Sequence, residues 1–253
     1  MLGKVNMDLN ETFTRNARLY NEMRPKYDRS ILDNIKKYVK LDETSEILEI
    51  GCGTGQATEL FIPTKAKIHC IDIGKELIKI CNHKYSKYDN IEFEVFQYEE
   101  YQSQLKFDLV FSATAYHWVK QPASDKKTYE ILKDDGVFAL FRNYHINKNS
   151  YFYEDSQSIY EEYMGKKRNI ESINYGIMNK ELFSIVCDYE YYWDSYYSTE
   201  DYISLLSTYS DHIALEPDKR YYLFEKLSEL INNKYHGKVH KEYLTKLEIG
   251  KKR

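Results

Sequence analysis

Three glycines at alternate positions, Gly51, Gly53 and Gly55, follow the apolar run Glu46-Ile47-Leu48-Glu49-Ile50 and precede Gln56. Glycine takes up positive φ without steric cost and lets a backbone approach a ligand with no Cβ between them, so this spacing suits a cradle for a nucleotide cofactor. A carboxylate, Asp72, stands 21 residues beyond Gly51 at the end of Lys67-Ile68-His69-Cys70-Ile71-Asp72. An acid at that distance and at a strand end can accept two hydrogen bonds from the vicinal ribose hydroxyls of an adenosine. The plainer alternative is a glycine turn with Asp72 as a strand-end cap. The two features together favour the cradle.

The spacing discriminates between cofactors. A dinucleotide fingerprint counted from Gly51 requires Gly or Ala at position 56, where the chain has Gln56, so pyrophosphate binding is disfavoured. A P-loop fails as well, because no Gly-Lys-Ser/Thr follows the turn. Other chemistry is thin. His236 and His240 are four apart, but Gly237 lies between them and no catalytic Glu accompanies them, so no metal site is expected. There is no Gly-x-Ser-x-Gly elbow, and none of the cysteines at 52, 70, 81 and 187 has a credible base beside it.

The elements that must position these residues follow from hydrophobic patterning. Residues 46–50 read as a buried strand, and Ala57 to Ile62 as a helix stopping at Pro63, so that the turn presents a helix N-terminus. Residues 67–72 give a second buried strand, with helical residues from Lys75 through Cys81 after it. Ile91 to Phe96 alternates apolar and polar as a third strand, and Phe107 to Ser112 is a fourth. A helix over 124–132, the turn Asp134-Asp135-Gly136 and a fifth strand over 137–141 complete a parallel core. Upstream, Phe13, Ala17 and Tyr20 suggest one helical face, Pro25 forces a turn, and Ser30 reads as the N-cap of a second helix with Ile31, Leu32, Ile35, Tyr38 and Val39 inward. Downstream, residues 144–197 hold 11 of the 26 tyrosines, an enrichment that points to aromatic walls, or, over Tyr189-Glu190-Tyr191-Tyr192-Trp193, to an amphipathic strand whose rings only pack. Leu223, Phe224, Leu227, Leu230 and Ile231 then repeat at helical spacing, and Val239 to Ile249 reads as a closing strand.

At 253 residues, 42% hydrophobic and 30% charged, with a net charge of −4, the chain reads as one large globular domain without the basic excess that phosphate backbones attract. Four cysteines with no CxxC pair favour a reducing compartment. No signal peptide or apolar run of about 18 residues is found, so no membrane partner is expected and the cytoplasm is the default.

The stretch Glu49-x-Gly51-x-Gly53-x-Gly55 resembles the first motif of class I S-adenosylmethionine-dependent methyltransferases. Two further segments resemble small-molecule members of that class, the trans-aconitate and ubiquinone-pathway groups. One is Ala17-x-x-Tyr20-x-x-x-Arg24-Pro25-x-Tyr27, similar to their "RPxYP" segment except that Asp28 replaces the last proline. The other is Phe107-Asp108-Leu109-Val110 running into Ala113-Thr114-Ala115-Tyr116-His117-Trp118. The latter replaces the Asn-Pro-Pro-Tyr of amino-directed nucleic-acid enzymes, which argues against DNA-base methylation.

The resemblance implies a Rossmann-like α/β fold, with a seven-stranded, mostly parallel sheet whose last strand is inserted antiparallel. Helices would cover both faces, preceded by N-terminal helices, and a helical, aromatic cap would follow strand 5. Within a single domain it implies a cofactor-binding core over 13–142, a substrate cap over 144–197 and C-terminal helices with the closing strand over 198–253. S-adenosyl-L-methionine would be the donor, held by Tyr20, Arg24, Glu49, Gly51, Gly53, Gly55, Gln56, Asp72, Ile73, Gln97, Tyr98, Ser112 and Ala113. Tyr20 and Arg24 would close over the methionine end, unless they are ordinary surface and packing residues, and Gln97 or Tyr98 would touch the adenine edge. Tyr116, Trp118 and Trp193 would line the acceptor site, and His117 would take a proton from a hydroxyl or carboxylic acceptor, unless the His117-Trp118 pair merely lines the pocket. The partner expected is a small organic acceptor rather than nucleic acid. The rival readings are a tRNA or protein methyltransferase and a non-catalytic cofactor-binding protein on the same fold.

Overall fold

A computed structural model describes residues 23–146, 150–167 and 178–253. The helical face around Phe13, Ala17 and Tyr20 lies outside the described residues. The first element whose bounds both lie among the described residues is α1 (Ser30–Ile35), whose Ile31, Leu32 and Ile35 are buried. Its cap differs from the sequence expectation: Ser30 is already helical, and its N–H donates to the Asp28 carboxylate at 2.8 Å. The Ser30 side chain, and after it this N–H, hold the Asp28 carboxyl below its usual range.

The core alternates strand and helix. β1 (Glu46–Ile50) leads through the glycine turn to α2 (Thr58–Phe61), a single turn continued as a 3-10 turn over Ile62–Thr64. β2 (Lys67–Asp72), α3 (Lys75–Lys84), β3 (Ile91–Val95) and β4 (Phe107–Ala113) follow. A 3-10 turn over Tyr116–Trp118 leads to α4 (Ala123–Ile131) and β5 (Leu132–Ile146). Beyond them come α5 (Tyr151–Met164), β6 (Phe183–Ser198), α6 (Thr199–Leu206), α7 (Ser210–Ile213), α8 (Pro217–Lys234) and β7 (Lys238–Lys252).

The seven strands form one sheet in the order β3-β2-β1-β4-β5-β7-β6. β1 pairs in parallel with β2 and β4, β2 with β3, and β4 with β5. The direction of β7 follows from its side-chain partners. Arg142, Asn143 and His145 of β5 meet Glu248, Thr245 and Tyr243 in turn, so contacts step backward along β7 as they step forward along β5. Glu190, Trp193 and Tyr196 of β6 meet Lys246, Tyr243 and His240 in the same descending order. β7 is therefore antiparallel to both neighbours, as the resemblance implied.

Alternate residues of the central strands enter different apolar clusters, as a period of two requires. Ile47, Leu109, Phe111, Val137, Ala139 and Phe141 pack with α1, Phe61 of α2, and Ile78 and Cys81 of α3. Leu48, Ile50, Val110, Phe138 and Leu140 pack with Tyr98, Tyr116 and Ile131. Both faces of the sheet are thus covered, which explains its near-continuous apolar strands.

The described residues divide into two compact units. The larger comprises residues 26–144, 178–191 and 245–253 and contains both clusters above. The smaller comprises 23–25, 145–146, 150–167 and 192–244. It has its own core, in which Leu223, Leu227 and Ile231, one turn apart along α8, pack with Phe152, Tyr160, Tyr202, Leu205, Leu206 and Val239.

Candidate cofactor and methyl-transfer site

The strand order reverses between β1 and β4, since β2 and β3 lie on one side of β1 and β4 and β5 on the other. In open α/β sheets such a switch point, at the carboxyl ends of the strands, leaves a crevice for a ligand. Two loops leave the sheet there: the glycine turn after β1 and the Thr114 to Trp118 segment after β4.

All three glycines of the turn have positive φ, +73° at Gly51, +58° at Gly53 and +79° at Gly55. Space is as restrictive as conformation. A Cβ on Gly51 would fall 2.4 Å from the Ala115 Cβ, and one on Gly55 would fall 2.5 Å from the Tyr85 ring. The loop is tied by its backbone. The N–H groups of Gly51 and Cys52 donate to the Ile71 carbonyl at 2.8 and 3.1 Å, and the Tyr85 hydroxyl donates to the Gly55 carbonyl at 2.6 Å. Asp72 joins the two ends of the cradle, its carboxylate accepting from the N–H of Gly53 at 2.9 Å and of Gly74 at 2.8 Å. Because α2 is one turn long, the loop's own amides and this carboxylate, rather than a helix N-terminus, shape the cradle.

Glu49 lies beneath the turn, 1% exposed. One of its oxygens accepts from the Thr58 hydroxyl at 2.5 Å and from the Cys70 thiol at 3.7 Å. Burial raises its pKa to about 8, against the two hydrogen bonds and with a smaller contribution from Asp72, so the side chain is largely protonated at neutral pH. The other oxygen, Oε1, is buried without a protein partner, as are Thr54 Oγ1 and Gln56 Nε2. Burial and the neighbouring Glu49 push the Cys70 thiol well above its ordinary range, which removes it as a nucleophile.

The remaining candidates separate into those the structure leaves accessible and those it consumes. Ile73 is 73% exposed immediately after Asp72, and Gln97 is exposed beyond β3. Ala113 is half-buried at the end of β4, whereas Ser112 is buried with its hydroxyl on the Ile50 carbonyl at 2.7 Å, a tie between β4 and β1. Two aromatic side chains expected at ligand edges face the core instead. Tyr98 is buried with its hydroxyl on Thr128 at 2.7 Å, and Tyr116 is buried with its hydroxyl on Asp125 at 2.8 Å. Next to Tyr116 in the chain, His117 is half-buried and Trp118 is 74% exposed, their rings 4.8 Å apart. Burial, and then the charge of Arg142, lower the His117 pKa, keeping the ring neutral and able to accept a proton near neutral pH.

Two candidates lie in the smaller unit and a third is not among the described residues. Tyr20 lies outside the described residues. Arg24, in the smaller unit, donates to the Thr208 carbonyl at 2.9 Å and sits over the Tyr209 ring. Trp193, in the same unit, stacks on Tyr243 at 4.3 Å. Sequence reasoning missed Gly74, whose Asp-x-Gly spacing is that of an Asx turn, and Thr58 and Tyr85, which carry no local signal. Among the described residues no cluster of three or more His, Cys, Asp or Glu could hold a metal.

Residues 47–136 match the family model described as "Methyltransferase domain". A curated relative, malonyl-[acyl-carrier protein] O-methyltransferase 2 of Ilyobacter polytropus, is 29% identical over 147 residues, covering 57% of this chain and 56% of that protein. The chain spans about half the length of the first such relatives it matches. A solved structure from Anaeromyxobacter dehalogenans, provisionally assigned to the type II methyltransferases, superposes with a TM-score of 0.65 at 13% identity, covering 90% of this chain and 97% of that one. The [4+2]-cyclase SpnF superposes with a TM-score of 0.57 at 11% identity, covering 96% and 94%. These structural likenesses establish the fold. The cradle fits S-adenosylmethionine on its own terms: three positive-φ glycines that no Cβ could join, an acid at the end of β2, and buried polar atoms of Glu49, Thr54 and Gln56 left for a ligand. Residues 47–136 of this chain therefore match a methyltransferase domain, carried on a seven-stranded sheet of the fold its solved structural neighbours share.

Proposed function

We propose that the chain transfers a methyl group from S-adenosylmethionine to an oxygen of a small organic acceptor, with a hydroxyl or carboxylate favoured. When bound, the donor supplies an electrophilic methyl on a sulfonium, so the protein needs few catalytic side chains and contributes mainly alignment, worth about 7–11 kcal/mol in favourable cases. Asp72 would accept from the ribose hydroxyls, Ile73 would flank the adenine, and the glycine amides with Glu49 and Gln56 would hold the polar end. The single observation that carries this reading is the contact of Ala115 with Gly51, which brings the His117 segment against the cofactor cradle. His117, kept neutral by burial, would take the proton of a hydroxylic acceptor.

The name of the Ilyobacter relative makes a carboxylate on an acyl carrier one candidate acceptor. A tRNA acceptor draws no support from a net charge of −4. Residues 144–197, with their tyrosines and Trp193, are the segment we assign to acceptor choice. A screen of free and carrier-bound carboxylic acids and phenols, read by S-adenosylhomocysteine release, tests the proposal. Turnover on such an acceptor supports it; cofactor binding with no product from any acceptor points to the non-catalytic reading.

A further inference from the structure

Thr114, the first residue after β4, stands at φ +58°. A β-branched residue almost never holds the left-handed region unless its surroundings impose it, and such residues cluster where a site needs a fixed geometry. Two contacts impose it here. The Thr114 N–H donates to the Phe141 carbonyl of β5 at 2.9 Å, and the Tyr27 hydroxyl shares a 2.7 Å hydrogen bond with Thr114 Oγ1. Tyr27 is itself placed edge-on against the Phe141 ring, with centroids 4.9 Å apart and planes at 87°. The reversal at Thr114 throws Ala115 onto Gly51 and opens the 3-10 turn of Tyr116–Trp118, closed by the Trp118 N–H on the Ala115 carbonyl at 3.0 Å. The far end is pinned by Tyr116 on Asp125. His117 follows directly on the second anchor.

We propose that Tyr27 is a positioning residue, whose hydroxyl holds Thr114 in the left-handed conformation and so fixes both the contact of Ala115 with Gly51 and the presentation of His117. Its catalytic meaning rests on the methyl-transfer reading above, but its structural effect does not. Tyr27→Phe keeps the ring packed on Phe141 and removes only the hydroxyl.

The test uses the whole chain and needs no acceptor. The His117 imidazole is titrated by NMR, with its resonance identified by its loss in His117→Gln, and S-adenosylhomocysteine binding is measured by calorimetry. In Tyr27→Phe the His117 midpoint is expected to move upward toward that of a solvated histidine, as the turn loosens and water reaches the ring beside Arg142. The dissociation constant for S-adenosylhomocysteine should rise roughly threefold to tenfold, the range of one net hydrogen bond. Asparagine tolerates positive φ better than threonine, so Thr114→Asn placed in the Tyr27→Phe background should return both readings toward wild type. An unchanged His117 midpoint in folded Tyr27→Phe, or a double variant that restores neither reading, would overturn the proposal. A wild-type protein that binds no S-adenosylhomocysteine would defeat the functional reading alone, while the cofactor-free titration would still decide the role of Tyr27.

Discussion

At the scale of single residues, two titratable side chains have opposite shifts and opposite consequences. Glu49 binds its proton more tightly folded, with a pKa of about 8 against an ordinary 4.5. Below pH 4.5 the folded and unfolded chains are both protonated and its burial is neutral. Between pH 4.5 and 8 the unfolded chain releases a proton that the folded chain keeps, so stability falls as pH rises through that window. Glu49→Gln should therefore gain stability relative to wild type as pH rises, by on the order of 4 kcal/mol by pH 9, a difference readable from paired urea titrations at pH 4 and pH 9. His117 is shifted the other way, downward by burial and Arg142. As a base it must be neutral, so the acid limb of kcat/KM should lie below pH 6.5, and His117→Ala should lose about 10²–10⁴ in kcat. Full kcat at saturating acceptor across the pH range would remove the base and favour a carboxylate acceptor, which needs none.

At the scale of elements, the glycine turn and the segment after β4 act as one unit because Gly51 and Ala115 touch. Gly51→Ala combines a strained positive φ with a contact that must open, and should cost roughly 2–4 kcal/mol of stability. It should also weaken S-adenosylhomocysteine binding. Thermal melts with and without that ligand check both. This is also the scale at which the sequence was most legible. β1, β2 and β4 are apolar runs buried on both faces, and the spacing from Gly51 to Asp72 is fixed by one strand-turn-helix-strand unit, so pattern and fold coincide. Legibility failed where a residue type serves two structures. Asp134-Asp135-Gly136 reads as a turn, yet lies inside β5 where its register against β4 shifts between Phe107 and Leu109. Tyr98 and Tyr116 look like ligand-facing aromatics, but each found a buried partner for its hydroxyl, and sequence alone cannot say which way an aromatic ring will face. Thr114 was unreadable for a related reason, since the contacts that hold it come from Tyr27 and Phe141, distant in the chain.

At the scale of the whole molecule, cofactor binding and the aromatic cluster of Trp193, Tyr197 and Tyr243 belong to different compact units. If residues 144–197 select the acceptor, Trp193→Ala should raise the acceptor KM or change the acceptor used while the S-adenosylhomocysteine dissociation constant stays put. Loss of melting temperature without altered acceptor choice would assign Trp193 to packing alone. The central claim, that the turn after β1 holds an adenosine donor rather than a dinucleotide, is tested most directly by calorimetry of wild type and Asp72→Ala with S-adenosylhomocysteine and NAD. The account predicts S-adenosylhomocysteine binding by wild type in preference to NAD, weakened in Asp72→Ala by a few kcal/mol, since hydrogen bonds to a charged group contribute about 1.5–3 kcal/mol each. Tight NAD binding with no response to S-adenosylhomocysteine, or an unchanged dissociation constant in a folded Asp72→Ala, would contradict it.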